Sequence, residues 1–360
     1  MSLDTLSEKV IALLKRLIET PSLSRQEENT ASILANFLEN EGISIHRQGH
    51  NVWARNKGWQ ESKPTLLLNS HHDTVKPNPA WTKEPFQAEL EGDKLYGLGS
   101  NDAGGPLVSL IATFLHFYEE RELPFNLILA ATAEEEISGP NGIASILPKI
   151  GSFDFGIIGE PTQMDLAIAE KGLIVMDCEA KGVSGHAARE EGVNAIYQAI
   201  PDINWFQSYQ FKEVSPLLGP VKMSVTQIEA GQQHNVVPAS CKFVVDVRTN
   251  ECYTNAEVVE IIRQHVSSEV NPRSLRLNSS GIDLDHPFVQ RVKSMGKQLY
   301  GSPTLSDQAL IPYPTIKMGP GDSARSHTAN EYIKLSEIKE AIPLYIKLLQ
   351  DLPLTKNTSS

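Results

Sequence analysis

The chain is poor in cysteine: Cys178, Cys241 and Cys252 are its 3 in 360 residues. None forms a CxxC pair, and the odd number leaves at least one unpaired, so a disulfide framework is excluded and a reduced, cytoplasmic setting is expected. Long apolar runs are also missing. No stretch reaches the roughly 18 apolar residues of a membrane span, and the N-terminal segment is polar and acidic between its apolar residues, so neither a signal peptide nor a transmembrane helix is expected. Basic residues are outnumbered, 32 Lys and Arg against 44 Asp and Glu, for a formal charge of -12. With no Lys/Arg stripe to neutralise phosphates, a nucleic-acid partner is excluded. There is no low-complexity tract, heptad array or repeat of fixed period. The glycine-rich stretch at 95–105 lacks GxxxxGK[ST], so it is not a phosphate loop.

What is present is ordinary globular composition at a length that exceeds a single core, which predicts two domains or one domain carrying an insertion. Val10, Leu13, Leu14, Leu17 and Ile18 recur at helical spacing and predict a first amphipathic helix. Ser24 and Glu27 resemble a capping box for a second, whose apolar face is Ile33, Leu34, Phe37 and Leu38 and which Gly42 ends. The segments at 65–69, 126–131, 155–158 and 315–318 are short, nearly continuous apolar runs, the mark of strands buried on both faces. An apolar helix at about 105–118 lies between the first two, as a crossover should. The fold class is therefore α/β, a mostly parallel sheet flanked by helices.

From 173 to 281 the texture changes. Strands near 173–180, 221–229, 241–249 and 274–279, with helices near 193–207 and 255–268, give the order β-α-β-β-α-β of a ferredoxin-like split pattern. This predicts an α+β domain (173–281) inserted between two parts of a catalytic domain (1–172 and 282–360), which closes with a helix at about 336–350. The final LTKNTSS is expected to fray.

Each buried run of the first domain leads to an ionisable segment, and ligands of open α/β sheets bind outside the carboxyl ends of strands. The run at 65–69 leads to His71, His72 and Asp73; that at 126–131 to Glu134, Glu135 and Glu136; that at 155–158 to Glu160; that at 315–318 to His327. Gathering so many carboxylates costs several kcal/mol per buried ion, on the order of the desolvation penalty, unless cations compensate. Extended geometry turns His71 and Asp73 to one side and His72 to the other, which makes His71 a metal ligand and Asp73 the partner that orients it. Asp102, on the tight glycine-rich loop, reads as a carboxylate presented inward, able to bridge two cations.

The ordered motifs Ser-His-His-Asp-Thr-Val (70–75), Gly-Leu-Gly-Ser-Asn-Asp-Ala-Gly-Gly (97–105), Thr-Ala-Glu-Glu-Glu (132–136), Ile-Ile-Gly-Glu-Pro-Thr (157–162), Ser-Gly-His-Ala (184–187) and Gly-Pro-Gly-Asp-Ser-Ala-Arg-Ser-His-Thr-Ala-Asn-Glu (319–331) run over nearly the whole chain. Together they resemble the di-zinc metallopeptidase and aminoacylase family of acetylornithine deacetylase, succinyl-diaminopimelate desuccinylase and carboxypeptidase G. The resemblance implies two Zn2+, with Co2+ or Mn2+ as possible substitutes. His71 and Glu160 would hold one, Glu136 and His327 the other, Asp102 would bridge them, and Glu135 would be the general base. It implies that the inserted domain is a lid through which the chain forms a homodimer. In that lid His186 would donate to an oxyanion at the neighbouring subunit's site, and Asn235 and Arg248 would meet the substrate's carboxylate side. Arg325 and Lys171 are further candidate cations, as is Arg189 for a succinyl carboxylate. The chain departs from the family where Ser70 replaces a usual Gly and where Arg189, Glu190 and Glu191 stand near a frequent proline. Glu134 replaces a frequent Asp, and its role stays open.

The expected function is metal-dependent hydrolysis of an N-acyl-L-amino acid, with N-acetyl- or N-succinyl-L-ornithine in arginine biosynthesis favoured. Desuccinylation of diaminopimelate and dipeptide or carboxypeptidase cleavage are the alternatives within the class. A non-catalytic, metal-stabilised binding protein is the alternative outside it.

Overall fold

A computed structural model describes residues 2–189 and 191–356. Glu190 and the end of the expected frayed tail lie outside the described residues. The chain folds as two compact units, one of Met1–Ile168, Ile282–Tyr300 and Ser306–Ser360, the other of Ala169–Gly281 with Gly301–Leu305.

The first unit opens with α1 (Leu3–Ile18), α2 (Glu28–Asn40), β1 (Ile45–Gln48), β2 (Asn51–Arg55) and β3 (Thr65–His71). It continues through α3 (Gly105–Phe117), β4 (Asn126–Thr132), α4 (Ile143–Ile150), β5 (Phe155–Ile158) and β6 (Leu166–Glu170). The sheet order in this unit is β1-β2-β4-β3-β5, then the later strand Thr315–Lys317, then β6. The four central strands are parallel, with β1, β2 and β6 added antiparallel.

Alternation of side chains across β3 and β4 explains why these strands read as continuous apolar runs. Leu66, Leu68, Leu127 and Leu129 enter the core beneath α1 and α3, whereas Leu67, Ile128 and Ala130 enter a second core with Ile143, Ile146 and Ile150 of α4. Both faces are covered, so no position in the strand favours a polar side chain. Full burial of each leucine contributes roughly 2 kcal/mol, and a charge at Leu67 would be stranded between layers.

Ser24 does not cap α2. Its hydroxyl donates to Asp73 Oδ2 at 2.7 Å, and the N-cap residue Glu27 makes no side-chain cap. The Glu27 carboxylate is fully buried and occupied elsewhere, by His50 Nδ1 at 2.6 Å and by the N–H groups of Arg25 and Glu134. The Ser-x-x-Glu spacing therefore serves the strand ends rather than the helix.

The second unit contains β7 (Gly172–Lys181), α5 (Ala195–Ser208), β8 (Lys222–Ala230), β9 (Ser240–Thr249), α6 (Asn255–Arg263) and β10 (Glu269–Pro272). Its sheet is antiparallel in the order β8-β9-β7-β10. Alternate residues such as Ile174, Met176, Cys178, Phe243 and Val245 form its core with Ala195, Ala199, Phe206, Val258 and Ile262 of the helices. The fourth strand is Glu269–Pro272, not the expected 274–279. Leu275, the first leucine of that alternating stretch, is 40% exposed, and the Leu275 and Leu277 carbonyls accept from Asn255 Nδ2. The capping box in this unit is Thr254 with Glu257, at the start of α6.

The first unit closes with α7 (Pro287–Ser294), β11 (Thr315–Lys317) and α8 (Leu335–Leu349). Between them, Tyr332–Lys334 pairs with Lys94–Tyr96, the ribbon that leads into the glycine-rich loop. Among the described residues no helix is long and apolar enough to cross a membrane.

Candidate metal centre

The carboxyl ends of β3, β4, β5 and β11 converge because parallel strands share one direction. At the end of β4 the chain leaves the sheet through Glu134, which adopts a left-handed backbone (φ 55), and enters a single turn at Glu135–Ile137. That reversal aims two peptide N–H groups back at β3. Glu135 N–H donates to Asp73 Oδ1 at 3.0 Å and Glu136 N–H to Asp73 Oδ2 at 3.2 Å. Glu134 itself faces away, its carboxylate held by the backbone and side-chain amides of Asn141.

The structure brings His71, Asp102, Glu135, Glu136, Glu160 and His327 together. His71 Nε2 lies 3.3 Å from Asp102 Oδ1, 3.7 Å from Glu135 Oε2 and 3.9 Å from Glu160 Oε1. His327 Nε2 lies 2.9 Å from Glu136 Oε2 and 3.6 Å from Asp102 Oδ2. The two oxygens of Asp102 thus face two different imidazoles. Two triads, His71–Asp102–Glu136 and His71–Glu135–Glu160, have ligand atoms within 4.8 Å of one another. Glu135 therefore sits inside the cluster beside Glu160. The His71 side chain is 1% exposed and that of His327 54%, so the centre opens on the His327 side.

Asp73 Oδ1 lies 3.3 Å from His71 Nδ1, and the Asp73 carbonyl is 3.0 Å from the same nitrogen. His72 turns the other way, between Thr30 Oγ1 at 2.9 Å and the His50 carbonyl at 3.0 Å, and burial pushes its pKa down to about 4. A neutral ring bonded at both nitrogens is a structural histidine.

The electrostatics of the cluster are those of crowded anions. Burial, and then the Glu160 and Asp307 charges, raise the Glu135 carboxyl well above its ordinary value, although His71 opposes them. Burial and the Asp102 charge push Glu160 up to about 8, against His71 and Lys317. Glu136 is raised by burial despite its bond to His327. Burial alone would lower the His71 pKa, but Glu135, Asp102 and Asp73 outweigh it and raise it well above 6.5. Among the described residues, Glu160 Oε1 is buried without a hydrogen-bond partner. A buried carboxylate oxygen with no donor, among three other carboxylates, fits a site built for cations. The mixed imidazole and carboxylate set suits zinc and is only moderately selective among divalent metals.

The remaining expected residues each have partners within their own unit. Arg325 is bonded to Glu337 through two 2.8 Å bonds and lies over the Tyr332 ring. In the second unit, His186 sits on a two-residue strand paired with Val236–Val237, and its Nδ1 accepts from Ala188 N–H at 3.1 Å. Asn235 adjoins it, its carbonyl accepting from Ala187 N–H at 3.0 Å. Arg248 is bonded to Asp246 at 2.8 and 3.1 Å, and Arg189 pairs with Glu191 at 3.8 Å. Lys171 is held below its ordinary pKa by burial and by the nearby charges of Lys222 and Arg248.

Sequence reasoning missed Asp307. Buried at 2% exposure, it accepts from Asn69 Nδ2 at 2.9 Å and Thr132 Oγ1 at 2.8 Å, joining β3 to β4 just below their functional ends. Burial pushes its pKa up to about 6. No periodicity or motif marks it. Glu331, likewise buried, ends the motif at 319–331.

A family model described as Peptidase family M20/M25/M40 matches residues 67–351. An acetylornithine deacetylase of Proteus mirabilis is 27% identical over 382 residues, covering 96% of this chain and 97% of the relative. A succinyl-diaminopimelate desuccinylase of Ruegeria sp. is 26% identical over 275 residues, covering 71% and 69%. Among solved structures, a Bacillus subtilis protein described as a dinuclear metal binding peptidase superposes with a TM-score of 0.76 at 19% identity, covering 98% and 100%. The aminopeptidase PepT of Bacillus cereus gives 0.76 at 17% identity, covering 96% and 98%.

Proposed function

The chain belongs to peptidase family M20/M25/M40, and from that premise we propose that it is a two-metal hydrolase that cleaves the amide bond of an N-acyl-L-amino acid. The observation that carries this reading is Asp102, whose two oxygens face His71 and His327 at 3.3 and 3.6 Å. His71 and Glu160 would hold one cation and Glu136 and His327 the other, with Asp102 shared; zinc is the first choice, cobalt or manganese substitutes. Such ions, when bound, polarise a scissile carbonyl and acidify a water.

The chain's own residues supply the proton traffic. Glu135 lies 3.7 Å from His71 Nε2 and is held above its ordinary pKa, the direction that suits a group taking a proton and later returning it. Water oxygen bonds to the acyl carbon as the carbonyl π pair moves onto its oxygen and Glu135 takes one water proton; the carbonyl re-forms as the carbon–nitrogen bond breaks and Glu135 delivers that proton to the departing nitrogen. The new carboxylic acid then gives up its remaining proton, leaving a carboxylate and an amine that carries the proton at neutral pH. Asp73 keeps His71 in one orientation throughout.

For the substrate, N-acetyl- or N-succinyl-L-ornithine is the reading favoured, and the deacetylase and desuccinylase names of two relatives support the class. The second unit is read as a lid and dimerisation domain, with His186 as oxyanion donor and Asn235 and Arg248 toward the substrate carboxylate. Its terminal strand β8 supports self-association, because Ile228 is 59% exposed on an edge that is open to strand pairing. Amine release from N-acetylornithine, N-succinylornithine, N-succinyl-diaminopimelate and dipeptides, measured with zinc or cobalt present, tests the reading. Preference for an acylornithine supports it. Release from none of them overturns it, and binding without release favours a metal-stabilised binding protein.

A further inference from the structure

Asp102 sits on a loop held only in part by its own backbone, through Ser100 N–H to the Gly97 carbonyl at 3.1 Å and Gly104 N–H to the Gly99 carbonyl at 2.9 Å. Gly99 is left-handed (φ 75) and the stretch Ser100–Gly104 contains non-helical residues at Asp102 and Ala103. Peptide N–H groups of such a loop lack the repeating partners of a helix or strand and must be satisfied from outside.

Three of them, those of Gly99, Asn101 and Asp102, are satisfied by one side chain. Glu331, 2% exposed, accepts from Gly99 N–H at 3.2 Å through one oxygen and from Asn101 and Asp102 N–H at 2.8 and 2.9 Å through the other. The Glu331 carbonyl also accepts from Gly97 N–H at 3.1 Å. Burial and the Asp102 charge push the Glu331 carboxyl up to about 8, against these three peptide donors, whose bonds to its ionised form are charge-assisted. Asn101 adds a second tie in the same direction: its Oδ1 accepts from Asp322 N–H at 2.9 Å, and its Nδ2 donates to the Asp322 carbonyl at 3.1 Å. Both ties reach the segment that carries His327.

We propose that Glu331 is the positioning residue of the Asp102 loop, setting the separation of Asp102 from His327 and through it the affinity of the centre for metal. The inference rests on the reading of Asp102 as a cation ligand. Glu331 touches neither cation nor substrate; it acts through the three peptide groups. Replacing it with glutamine removes the charge and turns an NH2 toward peptide N–H donors. Replacing it with aspartate keeps the charge but withdraws it by one methylene.

The test uses the full chain, with E331Q, E331D, D102N and the E331Q/D102N double variant. Zinc affinity is measured by competition with a chromogenic chelator, and amide exchange at 99–102 is measured in metal-free protein. E331Q is expected to bind zinc roughly 10- to 100-fold more weakly, with faster exchange at 99–102, and to add nothing further to D102N. Native zinc affinity in E331Q, with only a lower melting temperature, would assign Glu331 a purely structural role and overturn the proposal. Additive losses in the double variant overturn it too, because Glu331 would then act apart from Asp102. Native zinc affinity in D102N removes the ligand reading itself, and the proposal with it. If E331Q does not fold, E331D carries the same comparison.

Discussion

Asp73 accepts the backbone N–H of Glu135 at 3.0 Å while its same oxygen lies 3.3 Å from His71 Nδ1. One carboxylate therefore sets both the orientation of a candidate ligand on β3 and the turn that carries the candidate base after β4. Burial alone would raise the Asp73 pKa, but the bond to His71 and its charge, aided by Ser24, hold it below the ordinary value, so it stays an acceptor.

Asp73→Asn turns an NH2 toward groups that already donate. Metal affinity is expected to fall roughly 10- to 100-fold, with kcat falling alongside. Chelator competition and steady-state kinetics check this; unchanged values in both would separate Asp73 from the centre.

Glu135→Gln keeps size and shape but cannot carry the proton. Its metal content is expected to match the native protein while kcat falls by roughly 10²- to 10⁴-fold. Elemental analysis beside turnover measures the two effects separately. Retained turnover removes Glu135 as the base.

Chelation is expected to abolish hydrolysis and added zinc or cobalt to restore it. Because the ligands are assembled only in the fold, metal should also stabilise the native state, by about 2.7 kcal/mol at a free concentration one hundred times Kd. Melting curves with and without metal read this directly. Activity that survives complete metal removal sinks the two-metal reading.

A pH effect away from the centre is expected at His286, which caps α7 by accepting from Phe288 N–H at 3.3 Å and packs on Phe155. Burial lowers its pKa from 6.5, although Asp283 opposes this. The unfolded chain therefore takes the proton more readily, so this contribution is fully present above 6.5 and is lost as pH falls below it. His286→Asn, a cap that does not titrate, is expected to flatten that part of the slope. Urea midpoints of metal-free protein at about pH 7.5 and about pH 5.5 decide it; identical slopes in the two proteins refute the assignment.

The parallel sheet was legible because strands buried on both faces have no position for a polar residue, so 65–69 and 126–131 announce themselves. The candidate site was legible for a related reason: its ionisable residues cluster just past the ends of the apolar runs. What stayed hidden depends on partners distant in sequence. Ser24 and Glu27 have the spacing of a cap, and only the fold reveals that Asp73 and His50 claim them. Leu275 and Leu277 alternate like a strand, yet the pairing falls at Glu269–Pro272. Arg325 looks like a free cation until Glu337 comes near, twelve residues later. Asp307 and Glu331 are single acidic residues without periodicity; their meaning lies in amide and hydroxyl groups that other segments deliver.

The cluster draws on positions 71, 102, 135, 136, 160 and 327, which gives it a history as well as a geometry. A chain growing from its N-terminus carries all of the acidic members long before it carries His327. At ordinary synthesis rates that interval lasts roughly 10 to 30 seconds. Throughout it, four carboxylates and one imidazole exist without the residue that completes the second half of the site. On the proposed ligand set, metal uptake into the finished centre would be a late step in the life of each molecule, timed by the arrival of the C-terminal segment.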